Sequence, residues 1–575
     1  MCGIAGVQTT GARPDILVLE RMRAALAHRG PDGHATYLVD DTGLVHLRLA
    51  IVDVVGGDQP LFGPGGVALV ANGEIYNDLA TRAGMARTVF ATHSDCEPPA
   101  FLYASEGVTF ADRLRGMFAI ALHDPAHGRL VLARDPFGIK PIYYVQTEHL
   151  FAFASEPRAL IAAGLATASV DPGRARELLQ LKFTTGSTTI FPGIRRVLPG
   201  ETLVVEHGRI VERRVRAAIP AGVPRIARTA ANLDAVLLDS VAAHLRSDVP
   251  YGLFLSGGID SAAVLGLMRR AGAGRVQALT AGWDSNGDAD ETAEALRLAK
   301  IAGADCERIQ MSEYDFWALA PRIVACVDDL TADAAILPSW LLGRAAHAAG
   351  LKVTLCGEGA DELFGGYARY RKRRAPFRWF SRAPRSRGVF GCDLAEWRDG
   401  IAAAEAAAAA AVGGRTPMQR AQAVDVAEWL PNDLLTKLDR TLMVHGVEGR
   451  TPFLDPEVAA FAFPLPDAQK AGARFGKRLL REWLAGAFPE AGAWSRKKGF
   501  KPPVGRWIAG RAGIPALVAS EPGVAALLSR EKVLAAFTGA ASQPAWSLLH
   551  YALWHSVHIR GVACDGGVAD VLTTR

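Results

Sequence analysis

At 575 residues, half of them hydrophobic, the chain is long enough to divide into two or three domains, each burying a core. Its 64 basic and 59 acidic residues leave a net charge of only +5. The densest basic cluster, from Arg369 to Arg374 and on to Arg387, is local, so no nucleic-acid partner is expected.

Seven cysteines without a C-x-x-C pair or regular spacing argue against a disulfide framework or structural zinc and fit a reducing compartment. No signal peptide is read and no apolar run could span a bilayer, so the expected location is the cytoplasm, with no membrane partner. The Ala-rich stretch from Ile401 to Val412 carries Glu405 and reads as a surface helix.

The first informative residue is Cys2, ahead of the strand-like run Gly3 to Val7. Removal of Met1 would leave a cysteine with a free α-amino group, which titrates near neutrality and can take the thiol proton at close range. A cysteine at this position means little alone, but five segments follow in order. They are His28-Arg29-Gly30-Pro31-Asp32-Gly33, Arg48-Leu49-Ala50-Ile51-Val52-Asp53, Gln59-Pro60-Leu61, Asn72-Gly73-Glu74-Ile75-Tyr76-Asn77 and Ser94-Asp95-Cys96-Glu97. Together they resemble the glutaminase domain of class II glutamine amidotransferases, Ntn-type hydrolases that release ammonia from glutamine.

The resemblance implies that Cys2 attacks the glutamine carboxamide and that the Asn72 side chain and Gly73 N–H stabilise the oxyanion. It also implies that Arg48 clamps the α-carboxylate, that Asp95 and the Gly73-Glu74 region hold the α-ammonium, and that Ile51 borders glutamine. Taken singly, Arg48 reads as a solvated strand residue and Asn72-Gly73 as a hairpin turn. The order and spacing of the segments outweigh those readings.

From Leu114 to Leu160 short β-rich runs alternate with turns, a meander of antiparallel strands. Arg134 to Tyr143 and Phe153 to Glu156 also match the family and are assigned to packing, turns and the domain junction. The resemblance implies a four-layer αββα sandwich here. A strand at Thr202 to Glu206 finishes it, and the Arg- and Pro-rich stretch from Glu206 to Ala231 reads as a linker. The expected domains are a glutaminase domain at 2–212 and a second domain at 228–575.

Apolar residues at helical spacing from Leu233 to Arg246 lead into Val249 to Ala262, where an apolar run breaks at Ser256-Gly257-Gly258 and resumes as helix. Backbone N–H groups and the helix dipole favour a phosphate in such a turn, and Ser256 and Ser261 supply hydroxyls. Asp260 would oppose the anion unless a divalent cation lay between them, as Mg²⁺ does. A lone Ser-Gly-Gly reads as an unliganded turn. The full Ser-Gly-Gly-Ile-Asp-Ser string resembles the pyrophosphate loop of N-type ATP pyrophosphatases, which implies ATP held by Leu255, Ser256, Gly257, Gly258, Asp260 and Ser261. The G-x-x-x-x-G-K-[ST] loop is absent from the sequence.

Helix and strand patterns then alternate to Lys352–Cys356, the mark of a parallel sheet covered by helices, with ligand beyond the strands' carboxyl ends. The turn from Cys356 to Tyr367 resembles the Ser-Gly-Glu-Gly-x-Asp-Glu-x-Phe-Gly-Gly-Tyr segment of asparagine synthetases, apart from Cys356 itself. It implies Asp361 and Asp260 as Mg²⁺ carboxylates, Gly357 and Glu358 at ATP, and Glu358 as a base towards ammonia or an orienter of it. Read alone, Asp361 and Glu362 are a helix start. Met418 to Val447 reads as helix broken at Pro431 and runs into Glu448 to Asp455, again close to that family. Lys477 is expected to reach the phosphates. Arg496-Lys497-Lys498-Gly499-Phe500 reads equally as further phosphate contacts or as a solvated basic turn.

The resemblance therefore spans almost the whole chain and is to the glutamine-hydrolysing asparagine synthetases. It implies an α/β and α+β two-domain fold: the sandwich, then a parallel-sheet ATP-pyrophosphatase domain with a helical carboxyl-terminal part. The implied chemistry is amidation of aspartate through β-aspartyl-AMP, with ammonia passing through an apolar tunnel and glutamate, AMP and pyrophosphate as co-products. Glutamine, ATP and aspartate or another small carboxylate are the expected partners, and a homodimer the expected assembly.

The acceptor is where the pattern departs. Asp328 to Trp340 differs from the Thr-Thr-Ile-Arg-Ala-Ser-Thr pattern of aspartate-binding enzymes and is nearer an Ala-Asp-x-x-x-x-Pro-x-Tyr variant. An amidotransferase for a sugar, peptide or other acid stays open. Cys2 argues against the ring-closing relatives, and the joint presence of the site residues argues against a non-enzymatic scaffold. Pyrophosphate release that depends on aspartate, on another acid, or on neither separates the three.

Overall fold

The computed structural model describes residues 2–220, 226–283, 291–373, 388–390, 399–410, 414–495, 502–538 and 543–574. In the amino-terminal part the described strands are β1 (Gly3–Thr9), β2 (Gly33–Val39), β3 (Thr42–Arg48), β4 (Leu61–Phe62), β5 (Ala68–Ile75), β6 (Gly116–Asp124), β7 (Arg129–Arg134), β8 (Tyr143–Gln146), β9 (Leu150–Ala154), β10 (Arg195–Arg196), β11 (Glu201–Glu206) and β12 (Arg209–Val215). They make two sheets, ordered β10-β8-β9-β1-β3-β2 and β12-β11-β7-β6-β5-β4, and neighbouring strands are antiparallel.

The two-residue period of β1 sends Ile4 inward, where it meets Leu44, Phe151 and Phe153 of its own sheet and Val70, Leu132 and Leu203 of the other. Ala5 and Val7 face outward under Leu19 and Met22 of the helix Ile16–Ala25. The outer face of the second sheet is covered by Ala100 and Leu102 of the helix Pro98–Glu106. This is the αββα sandwich.

Two local expectations are corrected. The Leu114–Leu160 stretch is two hairpins, β6–β7 and β8–β9, in opposite sheets. The chain crosses between them through a turn in which the Asp135 carboxylate accepts the N–H groups of Phe137, Ile139 and Lys140. The stretch read as linker opens with β12, which pairs with β11. As a mostly exposed edge strand, β12 has no apolar alternation to reveal it.

The second part is built on β13 (Tyr251–Phe254), β14 (Gln277–Trp283), β15 (Asp305–Met311), β16 (Val353–Leu355) and β17 (Glu448–Arg450), all parallel and ordered β15-β14-β13-β16-β17. The order reverses between β13 and β16, and both glycine-rich turns leave the sheet there, at the switch point where open α/β sheets bind ligands. Pro431 does not break its helix as expected. It sits in a π-helical stretch, Asp425–Leu435, joining the helices Pro417–Val424 and Thr436–Met443, and the wider turns absorb its missing N–H.

The two parts do not keep wholly separate cores. Leu49, Ile51, Met117, Phe137 and Ile139 of the sandwich share one buried cluster with Leu253 and Leu255 of β13 and its turn. A second cluster joins the outer face of the first sheet to Phe316, Trp546 and Trp554. No helix among the described residues is long and apolar enough to cross a membrane.

Candidate active sites

Cys2 lies just ahead of β1, which faces β5 across the sandwich. Its backbone N–H donates to Asn72 Oδ1 at 3.0 Å. Asn72 is fully buried and its Nδ2 has no hydrogen-bond partner among the described residues. A buried amide left open in this way is a donor aimed at something the protein does not supply. Asn72 and Gly73 lie within β5, opposite Ala119 and Phe118, and not in a hairpin turn. Burial raises the Cys2 thiol above its usual value, with the Leu49 N–H and Arg48 pulling the other way, so the resting thiol is neutral and requires a base.

Arg48, the last residue of β3, is not a solvated strand side chain. Its Nη1 donates to Val54 O at 3.0 Å and Asp58 Oδ1 at 2.7 Å, and its Nη2 to Asp53 O at 2.6 Å. Of these acceptors Asp58 is 80% exposed. Ile51 is buried in the cluster shared with β13.

Glu74 and Asp95 are both buried. Asp95 accepts the Ile75 N–H at 2.6 Å, and burial raises its carboxyl to about 6 against that hydrogen bond and Arg450. Burial also pushes Glu74 well above the carboxylate range; Arg450 opposes the shift, and Asp95 and Glu448 add to it. Arg450 and Glu448 arrive from β17 in the other half of the chain, a contribution that sequence reasoning missed. Their i, i+2 spacing on a strand, which puts both on one face, was the available signal.

At the switch point, Leu255 is buried and its N–H donates to Leu279 O at 2.9 Å. The Ser261 hydroxyl lies 3.0 Å from Ser256 Oγ and accepts the Ser256 N–H at 3.1 Å, while Ser256 Oγ accepts the Gly258 N–H. The two serines thus brace the turn from within. A Cβ on Gly257 would lie 3.0 Å from Glu294 Cβ of the helix Thr292–Ala302, and one on Gly357 would lie 2.9 Å from Asp260 Cβ, so the two glycine-rich turns touch.

Asp260 and Asp361 converge on the Lys477 ammonium, with Nζ 2.6 Å from Asp260 Oδ2 and 2.8 Å from Asp361 Oδ1. Lys477 is almost fully buried and caps the helix Arg478–Ala487 with a left-handed backbone, φ 56°. Asp260 Oδ1 is buried without a hydrogen-bond partner among the described residues. Two carboxylates about one cation, one of them with an open oxygen, fit a divalent ion.

Glu358 is half-buried in the turn that carries Asp361; against burial, Asp333, whose Oδ2 lies 3.0 Å from Lys437 Nζ, and after it Glu358 hold the Lys437 ammonium above its usual value. The Arg496–Phe500 group lies outside the described residues.

A buried ion cluster that the sequence did not announce joins the two halves of the chain. Arg29 Nη1 is 2.7 Å from Glu156 Oε1 and 2.8 Å from Asp439 Oδ2, and Arg440 pairs with Asp439 and with Asp328 at 2.9 Å each. Burial pushes Glu156 up, but His28, Arg440 and Arg158 outweigh it and hold the carboxyl well below its usual range.

The chain matches the asparagine synthase family over residues 232–556 and the glutamine amidotransferase domain family over residues 1–215. It is 28% identical to asparagine synthetase (glutamine-hydrolyzing) 1 of Bacillus subtilis, over 97% of each chain. It is 30% identical to asparagine synthetase B (glutamine-hydrolyzing) of Escherichia coli, over 88% of this chain and 83% of that one. It is 32% identical to amidase chry2 of Gibberella zeae, over 64% of this chain and 60% of that one.

Proposed function

The chain belongs to the asparagine synthase family, and from that premise we propose that it is a glutamine-hydrolysing carbon–nitrogen ligase that converts aspartate to asparagine with ATP. The observation that carries the reading is the double use of Asn72: its oxygen takes the Cys2 N–H at 3.0 Å while its buried amide N–H remains open, as an oxyanion donor must be before substrate arrives.

In this reading residues 2–212 form the glutaminase. With Met1 removed, the α-amine of Cys2 takes the thiol proton and the sulphur attacks the glutamine carboxamide carbon. Asn72 Nδ2 and the Gly73 N–H receive the oxyanion, ammonia leaves with the proton returned, and water cleaves the thioester to glutamate. Arg48 exchanges exposed Asp58 for the substrate's α-carboxylate, and Glu74 and Asp95 take its α-ammonium beside Ile51.

Residues 228–575 form the synthetase, in which Leu255 to Ser261 and Gly357-Glu358 cradle ATP. Asp260 and Asp361 would hold Mg²⁺, which would neutralise triphosphate charge. The aspartate side-chain carboxylate attacks the α-phosphate, pyrophosphate departs past Lys477, and ammonia displaces AMP from the β-aspartyl-AMP as Glu358 accepts a proton. Ammonia would cross the apolar contact of Leu49, Ile51, Met117 and Phe137 with Leu253 and Leu255; free mixing of labelled external ammonia with glutamine-derived nitrogen would refute that route.

A second reading, amidation of a different carboxylate, is favoured by one feature. In the segment that departs from the family's Arg-containing pattern, Asp333 pairs with Lys437 at 3.0 Å, and Lys437 also feels the charge of Glu358. The test is a panel of acids with ATP and glutamine. Pyrophosphate and glutamate formed only with aspartate support the first reading, and formation with another acid supports the second. Neither product with any acid overturns both.

A further inference from the structure

We propose that Arg450, from the synthetase half, is a positioning residue of the glutamine pocket that holds Glu74 for the substrate's α-ammonium group. The inference rests on the reading of that pocket given above.

Arg450 ends β17, the edge strand of the parallel sheet, and its side chain is fully buried. Three contacts fix the guanidinium to its own half. Nη1 donates to His244 O at 2.7 Å and Arg246 O at 2.6 Å, and Nε donates to Glu448 Oε1 at 2.5 Å. The His244 carbonyl ends the helix Ala230–His244, where acceptors lack partners within the helix, and the Arg246 carbonyl lies two residues beyond it. The remaining corner, Nη2, lies 3.1 Å from Glu74 Oε1. The guanidinium is therefore a rigid bracket, held on its own side and presented to one carboxylate of the other domain.

What that carboxylate does follows from its strand. Glu74 is two residues from Asn72 on β5, so both side chains lie on one face, and Glu74 is aligned with the residue that holds Cys2. Asp95 and Glu448 also act on Glu74. Without Arg450, Glu74, Asp95 and Glu448 would face one buried site with no cation between them, and Glu74 would lose the partner that fixes its carboxylate on the Asn72 face. Lysine could not replace the bracket fully, because a point charge cannot serve two carbonyls and two carboxylates at once.

The same residue also touches the other centre. The Arg450 carbonyl accepts the Cys356 N–H at 2.9 Å, at the start of the turn that carries Gly357 and Glu358. One residue thus joins the glutamine pocket through its side chain to the synthetase turn through its backbone.

The test uses the full chain with two substrates, glutamine and the analogue that lacks only the α-amine, 5-amino-5-oxopentanoic acid. Hydrolysis is followed in wild type, Arg450→Lys and Arg450→Gln. In Arg450→Gln the KM for glutamine is expected to rise roughly 10- to 100-fold with kcat little changed, and the preference for glutamine over the analogue to fall by the same factor. Arg450→Lys should lie between the two. Because the preference is a ratio, it is independent of how much protein folds, and Arg450→Lys carries the same comparison if the glutamine variant is insoluble. A fall in kcat on both substrates with the preference unchanged would mean a merely structural role and overturn the inference alone. Absence of glutamine hydrolysis in wild type would overturn the pocket reading with it.

Discussion

Gly366 offers a test of the proposed nucleotide centre by one methyl group. A Cβ built on it lies 1.8 Å from Asp361 Oδ1 and 2.4 Å from Lys477 Cε. The backbone of Gly366 is outside the left-handed region, so alanine meets no conformational objection and the damage comes through its neighbours alone. Lysine has a long flexible stem, but the aspartate does not. Its carboxylate must retreat from 1.8 Å to at least 3.0 Å, which breaks the 2.8 Å pair with Lys477.

A displacement of about 1 Å in catalytic positioning costs on the order of 100-fold in rate. Gly366→Ala should therefore slow acceptor-dependent pyrophosphate release by about that factor, while glutamine hydrolysis, assigned in the proposed function to Cys2 and Asn72, proceeds at the wild-type rate. Continuous pyrophosphate and glutamate assays on the same preparation measure both. Pyrophosphate release within about threefold of wild type would refute the assignment of Asp361 and Lys477 to the reacting centre.

Asp95 gives a prediction for stability. Its folded pKa of about 6 lies above the ordinary 3.8, so the fold disfavours the charged form: the penalty is absent below pH 4 and fully present above about pH 7. Asp95→Asn should accordingly be more stable than wild type at pH 7.5, by on the order of 2–3 kcal/mol, with the difference gone at pH 4 and the KM for glutamine raised; denaturant titrations at the two pH values decide it. Asp439→Ala strands the buried guanidinium groups of Arg29 and Arg440 and should cost about 3–5 kcal/mol, read by the same method, and a loss under about 1 kcal/mol would contradict the description of that cluster. Cys2→Ala should abolish amide formation from glutamine while added ammonium still supports it. Chelation of divalent metal should stop pyrophosphate release without slowing glutamine hydrolysis, and inhibition of both would count against a metal held only by Asp260 and Asp361.

The glycine-rich turns were legible because backbone geometry demands their composition: Gly357 packs on Asp260 Cβ, and both turns follow short parallel strands. Asn72-Gly73 was legible only in company, since locally the pair reads as a turn although it lies inside β5. Edge strand β12 carries too little apolar alternation to stand out. Pro431 breaks a helix by local rules, whereas a π-helical stretch accommodates it. The largest omissions, Arg29 on Asp439 and Arg450 on Glu74, are pairs between distant parts of the chain, the first 410 positions apart. Local spacing shows a charged residue and cannot show the opposite charge that makes its burial tolerable.

The apolar clusters that run across the boundary between the halves have a consequence for dissection. A cut between the sandwich and the parallel sheet would expose Leu49, Ile51, Met117, Phe137 and Ile139 on one fragment and Leu253 with Leu255 on the other. Two catalytic units are thereby welded into one thermodynamic body: the seam is made of the same oily material as the interior, and neither fragment inherits a finished exterior.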